Sequence, residues 1–154
     1  MASRFRVLLV GKPKERWAQQ AVDDYARRLR RHGGVDEAII KPEKFRGDVD
    51  AVRQAEGRRM LDSVRPSDRL VVLDERGEGL DTSGFKELVD EGRQLGPLVF
   101  AVGGAYGHDP SVRAAAWRCV RLSDLVLNHE VARVVLYEQL YRAMTLIAGV
   151  PYHH

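Results

Sequence analysis

Short apolar runs alternate with longer amphipathic stretches along the whole chain, and this alternation limits the fold more than any other feature. Runs at residues 5–10, 35–40, 70–73, 98–102 and 125–127 read as strands. Leu70-Val71-Val72-Leu73 is apolar without interruption, the pattern of a strand covered on both faces. Pro13 opens the first helical stretch. Trp17, Ala21, Tyr25 and Leu29 recur every four residues on its inner face, and Gly33-Gly34 closes it. Asp48 caps the second helix, which ends before Arg65-Pro66. Asp81 or Thr82 caps the third, closed by Gly96-Pro97. Asp109-Pro110 opens the fourth, which runs to about Trp117, and Asn128 caps the fifth, which runs to about Ala148. Residues 74–81 read as a loop. Five strands alternating with five helices predict a three-layer α/β fold with a mostly parallel sheet. No repeat, low-complexity tract or linker divides the chain, so residues 1–154 are expected to form one domain.

The last helical stretch exceeds what one small sheet can cover. Val131, Val134, Val135, Leu136, Leu140, Tyr141, Met144 and Ile147 take up nearly every side of it. A helix that is apolar all round is buried, and a second copy of the chain is the expected cover. A homodimer is therefore predicted.

Composition narrows the function classes. A single cysteine, Cys119, excludes an internal disulfide and a cysteine-based metal site, and it fits a reducing compartment. None of the five histidines pairs at metal-ligand spacing, so no metal is expected. No signal-like segment precedes the first strand, and no apolar stretch is long enough to span a membrane. The expectation is a cytoplasmic protein without membrane partners. Net charge is +3 but unevenly spread: residues 1–69 carry 17 Lys/Arg against 11 Asp/Glu, and residues 70–154 carry 8 against 11. The first half is thus the expected face for a polyanion such as RNA. Arg27 and Arg28, continued by Arg30 and Arg31, either contact a phosphate backbone or form an ordinary solvated helix face.

Ligands of open α/β sheets bind outside the carboxyl ends of the strands, so the residues there are the candidates. Gly103-Gly104-x-x-Gly107 follows the fourth strand and either lets a ligand approach the backbone or forms a plain turn. It is not the dinucleotide fingerprint, and no Gly-Lys-Ser/Thr is present, which disfavours an NAD-type oxidoreductase and excludes a P-loop. No serine sits in a nucleophile elbow. His129 opens the last helix beside the predicted site. Arg133 and Arg142 lie on that apolar helix, where an arginine is either ion-paired or aimed at a phosphate or carboxylate. Glu138, four residues before Arg142, is the structural partner in the first case. The chain then stops at Pro151-Tyr152-His153-His154, a polar and aromatic tail.

Several segments taken in order carry a resemblance. They are Asp24-Tyr25-Ala26-Arg27-Arg28-Leu29, Glu56-Gly57-Arg58-Arg59-Met60-Leu61, Leu73-Asp74-Glu75-Arg76-Gly77-Glu78 and Gly103-Gly104-x-x-Gly107. Next come Leu122-Ser123-Asp124-Leu125-Val126-Leu127-Asn128-His129, Val131-Ala132-Arg133, Glu138-Gln139-Leu140-Tyr141-Arg142-Ala143 and Pro151-Tyr152-His153. Over nearly its full length the chain resembles the SPOUT-class methyltransferases of large-subunit (23S) rRNA that modify a pseudouridine at ring nitrogen 3, the RlmH family. The resemblance implies a homodimeric α/β fold whose C-terminal part is threaded into a trefoil knot, an exception to the rule against knots. It implies S-adenosylmethionine as cofactor, contacted by Leu73, Gly103, Ser123, Asp124, Leu125, Val126, Leu127 and Asn128. It also implies rRNA within the ribosome as the partner. Two departures stand out: Asn128 replaces the proline common before the histidine of the last helix, and His154 replaces a terminal Arg or Lys.

Transfer of a methyl group to an imide nitrogen requires that nitrogen to lose its proton and to lie in line with the methyl carbon. His153 is expected as base or orienter, Tyr152 as a stacking or hydrogen-bonding partner of the nucleobase, and Arg142 as a stabiliser of negative charge. His129, Arg133, Arg27 and Arg28 are secondary candidates for RNA contact. A SPOUT enzyme of another RNA, or a silent RNA-binding module, stays open on the residues alone.

Overall fold

The computed structural model describes residues 4–154. Five strands, β1 (Phe5–Val10), β2 (Val35–Ile40), β3 (Arg69–Gly79), β4 (Leu98–Val102) and β5 (Arg118–Arg121), form one sheet in the order β2-β1-β4-β3-β5. Every pairing is parallel. The helices are α1 (Arg16–Leu29), α2 (Val49–Asp62), α3 (Thr82–Leu95), α4 (Pro110–Ala115) and α5 (His129–Ala148), and one 3-10 turn, Arg30–His32, extends α1.

The period-2 alternation of the strands sorts their side chains into two cores. Phe5, Val7, Val71, Leu98 and Phe100 face one side, where they meet Val22 and Leu29 of α1, Phe85 and Leu88 of α3, and Leu136 and Leu140 of α5. Leu8, Leu70, Val72, Val99 and Ala101 face the other, against Met60 of α2 and Val112 of α4. The expected three-layer α/β fold is therefore what the chain adopts. Among the described residues, no helix is long and apolar enough to cross a membrane.

The expected caps form. The Asp48 carboxylate accepts from the N–H groups of Asp50 and Ala51, Asp81 from Gly84, Asp109 from Ser111, and the Asn128 side-chain oxygen from Val131. Gly33 takes the left-handed conformation after the α1 extension, with φ 110°. The start of α1 is different. No side chain of its own caps it; Glu130 of α5 accepts from the N–H of both Lys14 and Glu15 at 2.9 Å.

Four expectations need correction. The fifth strand is Arg118–Arg121, not residues 125–127. The Ser123 hydroxyl accepts from the Leu125 N–H and turns the chain, which leaves Leu125 and Val126 77% and 78% exposed. Residues 74–79 are not simply loop: β3 resumes pairing after a bulge, with Leu73 and Glu78 both opposite Val120. On α1 the buried positions are Ala18, Val22 and Leu29, while Trp17 is half exposed; a 3.6-residue period places the inner stripe one position later than a strict four-residue count. Finally, within a single chain α5 is not buried all round. Leu136, Tyr137, Leu140, Ala143 and Met144 enter the core, whereas Val131, Val134, Val135 and Ile147 stay half-buried.

The bulge depends on one glycine. A Cβ on Gly77 would lie 2.6 Å from the backbone N and C of Val120, inside contact distance of an atom that cannot rotate away. Gly77→Ala is expected to cost about 1–3 kcal/mol, as overpacking does, read as a lowered midpoint in urea unfolding of the purified protein.

Candidate functional site

At the carboxyl ends of β3, β4 and β5 the connecting segments enclose a cavity of about 520 Å³. That is within the range of a site for a cofactor-sized molecule. Leu73 to Arg76, at the bulge of β3, supply one wall, Gly103 to His108 the wall after β4, and Leu122, Ser123 and Leu125 to Leu127 the wall after β5. His129 and Ala132 of α5 and Val49 and Arg53 of α2 complete it.

The wall after β4 is a tight turn. The Gly107 N–H donates to the Gly104 carbonyl at 3.1 Å, and Gly107 has φ 81°, which an L side chain rarely adopts. Arg53 holds the turn from outside, its Nε donating to the Tyr106 carbonyl at 2.7 Å. His108 holds it from beneath: its buried ring places Nε2 3.2 Å from the Ala101 carbonyl. Burial pushes the His108 pKa below its ordinary value, and the Asp74 carboxylate opposes this only in part. The ring is therefore neutral, with Nε2 as the donor. Two arginines fasten the three walls together. Arg113 Nη1 reaches the His108 carbonyl at 3.1 Å and Asp74 at 3.4 Å. Arg121 donates to the Gly77 carbonyl at 2.9 Å and to Asp124 at 2.8 Å.

The cavity thus has a braced floor and an apolar, solvent-facing lip made by Leu125 and Val126. Two aliphatic side chains left this bare beside a concave site mark a surface that something covers. No group of three or more His, Cys, Asp or Glu side chains that could hold a metal occurs among the described residues.

A second cluster lies at the far end of α5. Arg142 pairs with Glu138 at 3.0 Å, and this hydrogen bond keeps its pKa above the ordinary arginine value. Arg142 Nη1 donates to His153 Nδ1 at 2.7 Å. The Tyr152 ring lies edge-on to Tyr141, centroids 4.7 Å apart, with the Arg142 guanidinium 4.8 Å from its centroid. Burial raises the Tyr152 pKa, helped by Tyr25 and Glu138, so its hydroxyl keeps its proton. The tail is therefore folded back on α1 and α5. Arg142 stands thirteen residues beyond His129, about 20 Å along the helix axis, so the folded-back tail lies far from its own chain's cavity.

A sequence model described as "Predicted SPOUT methyltransferase" matches residues 3–153. The chain belongs to the SPOUT methyltransferase family. It is 42% identical to a protein of Geotalea daltonii over 98% of this chain and 99% of the relative. Over the same shares it is 40% identical to one of Geotalea uraniireducens and 39% identical to one of Geobacter sulfurreducens. All three relatives are named ribosomal RNA large subunit methyltransferase H.

In this SPOUT chain the predicted cofactor positions Leu73, Gly103, Ser123, Leu125, Val126 and Leu127 share the one cavity, with His129 beside them. Asp124 and Asn128 stand behind it: Asp124 anchors Arg121, and Asn128 caps α5. Tyr152, His153 and Arg142 come together, but in the distant cluster. Arg133, a candidate for RNA contact, is 2% exposed and committed to the protein. Its Nε and Nη2 form a two-pronged pair with Glu37 at 2.7 and 2.6 Å, and Nη1 reaches Gln19 at 3.0 Å. The Tyr137 hydroxyl donates to the same carboxylate at 2.7 Å. Arg27 pairs with Asp24 on the surface, and Arg28 pairs with Asp24 while lying 5.4 and 5.6 Å from the Tyr25 and Tyr141 rings. Sequence reasoning missed Asp74, His108, Arg113 and Arg53. Asp74 lay in view in the segment after β3; the other three act through contacts between separate elements, which no local pattern announces.

Two stability measurements follow from these side chains. Glu37→Ala strands the buried Arg133 charge and is expected to cost about 3–5 kcal/mol, with the midpoint of denaturant unfolding as the readout. His108 has a folded pKa below its unfolded value of 6.5, so below that pH the unfolded chain takes up a proton that the folded chain refuses. Stability is full above about pH 6.5 and falls as pH drops through it. His32, lowered by burial and by Arg31 and Arg4, acts in the same direction. Unfolding free energies from pH 8 down to about 5 are expected to show this decline, and His108→Gln is expected to flatten it.

Proposed function

We propose that this chain transfers a methyl group from S-adenosylmethionine to ring nitrogen 3 of a pseudouridine in large-subunit rRNA, acting on the assembled ribosome where ribosomes reside. The observation that carries the reading is the single cavity built from the ends of β3, β4 and β5 in a SPOUT chain, together with the printed rRNA-methyltransferase names of relatives aligned over nearly the whole length.

The cavity fits the cofactor by shape and chemistry. Its volume suits a nucleoside-sized ligand. The glycines at 103 and 104 expose backbone hydrogen-bonding groups to it, while Leu73, Leu125, Val126 and Leu127 provide apolar walls for a flat ring. Asp74, paired with Arg113, and Glu75 are the carboxylates on the cavity wall and would face a cationic cofactor held there. When bound, S-adenosylmethionine supplies an electrophilic methyl group. Leu73, Gly103, Ser123, Leu125, Val126 and Leu127 are the residues that would hold it, with Asp124 and Asn128 positioning the loop they belong to.

The tail cluster provides the rest of the chemistry. With Nδ1 accepting from Arg142, His153 presents Nε2–H outward as a donor. That makes it an orienter of a uracil carbonyl in preference to a base. Arg142, a permanent cation, would stabilise the negative charge that develops as the imide proton leaves, and Tyr152 offers an aromatic face to the nucleobase.

Because each tail lies about 20 Å from its own cavity, the reading requires a homodimer in which one chain's tail meets its partner's cavity. The half-buried Val131, Val134, Val135 and Ile147 of α5 and the bare Leu125 and Val126 are the surfaces such a partner would cover. A C-terminal knot belongs to the same reading. Its support is that β5 pairs at the sheet edge beyond β3 while α5 returns to pack against β4. The whole chain acts as one domain.

Labelled methyl transfer to ribosomes, subunits and tRNA from cells lacking this protein tests the reaction; label in tRNA alone, or none, overturns the assignment. His153→Ala and Arg142→Ala are expected to keep cofactor affinity and lose at least about tenfold in turnover. An Arg142→Ala chain mixed with a Gly103→Val chain is expected to regain activity, since the hybrid dimer contains one intact composite site.

A further inference from the structure

Opposite the lip of the cavity, the loop between β2 and α2 carries an exposed aromatic ring. Phe45 is 49% exposed and stacks on Tyr106, itself 38% exposed, with centroids 5.6 Å apart and planes at 26°. About half of the Phe45 surface is covered and the rest of the ring is open to solvent. The loop is held in place at its base. Arg59 pairs with Glu43 at 2.5 Å and donates to the Lys41 carbonyl at 2.9 Å, and the buried Glu56 accepts from the Glu43 N–H at 3.0 Å. On the other side, Arg53 anchors Tyr106 through its carbonyl. The platform is therefore built before any ligand arrives, at little ordering cost on binding.

Charge identifies what it takes. Lys41, Lys44 and Arg46 are exposed and have no carboxylate partner among the described residues, while of the loop's two acids Glu43 is neutralised by Arg59 and Asp48 is taken up in capping α2. An aromatic face flanked by free cations is the device by which proteins hold single-stranded nucleic acid: the base stacks, and the cations follow the phosphates. A second copy of this chain would bring the same cations against themselves. The cofactor is an unsuitable occupant too, because Tyr106 borders the cavity but Phe45 does not.

We infer that the outer face of the Phe45–Tyr106 stack, with Lys44 and Arg46, is a subsite for an unpaired nucleotide of the RNA strand that flanks the target nucleotide. This rests on the proposed rRNA methyltransferase activity and adds to it the place where the flanking strand is gripped. Phe45 does not touch the reacting atoms, so it governs substrate affinity and not the chemical step.

The test uses the full-length protein, a fluorescein-labelled single-stranded pyrimidine RNA decamer, and methyl transfer to unmodified ribosomes. Phe45→Ala is expected to weaken decamer binding about tenfold and to raise KM for ribosomes at unchanged kcat, with cofactor affinity intact. Phe45→Trp is expected to restore both. The double variant Lys44→Ser with Arg46→Ser is expected to reduce the slope of log affinity against log salt by about 1.4, the share of two phosphate contacts on a single strand. Equal decamer affinity for Phe45→Ala and the wild type overturns the inference. So does a loss of cofactor affinity, which would assign the ring to the cavity, or a shift to monomer in sedimentation, which would make it a protein interface. A wild type that binds the decamer through Phe45 but methylates no RNA sinks the methyltransferase reading and leaves the subsite standing. Methyl transfer that is indifferent to Phe45 sinks only the subsite.

Discussion

The pairing of β5 with β3 organises everything functional in this molecule. β5 follows β4 in the chain, yet it hydrogen-bonds on the far side of β3. The chain therefore passes over the sheet face through α4 on its way out to β5, where the Trp117 N–H donates to the Leu70 carbonyl, and crosses back past the end of the sheet to reach α5. A parallel sheet puts all of its strand carboxyl ends on one edge, so the return from β5 to α5 crosses there, beside the bulge that Gly77 permits and the loop that leaves β4. Three segments far apart in sequence are drawn around one space, and the arginines at 113 and 121 lock them in place by donating to carbonyls and carboxylates of neighbouring segments.

The second organising element is α5 as a rigid spacer. Its first turn borders the cavity, its middle is fixed to the sheet through the buried Arg133–Glu37–Tyr137 group, and its last turns carry Arg142 and the folded-back tail. Twenty residues of helix keep the two chemically equipped ends apart by a distance that no side-chain rearrangement closes. The cost of leaving Arg133 unpaired holds α5 against β2, so the separation is a property of the packing. This is why the proposed function leads to a dimer: on that reading the cavity would hold the cofactor and the tail would meet the nucleobase.

Much of this was legible in the chain. The alternation of apolar runs and capped helices gave the layer order, because period-2 and period-3.6 patterns are local consequences of burying one face. Asp48, Asp81, Asp109 and Asn128 announced helix starts because a cap is a contact within three residues. Misreadings arose where two local signals competed. Leu125-Val126-Leu127 is more apolar than Arg118-Cys119-Val120-Arg121, yet the latter pairs with β3, and the Ser123 turn sends the former to the cavity lip. A short apolar run records that something apolar will cover it, not whether a strand, a ligand or a partner does so.

What the sequence by itself determined is the fold class, the capped helices, the family and the positions after β3, β4 and β5 that border the cavity, since all of these depend on neighbours along the chain or on the order of segments. Only the tertiary structure decided that Arg133 is a buried structural cation, that His108 supports the glycine turn, that Glu130 of one helix serves the start of another, and that the tail lies far from its own cavity. The first three of these rest on contacts across 7 to 116 residues. In each, the partner is chosen by how the layers pack, which no spacing along the chain encodes.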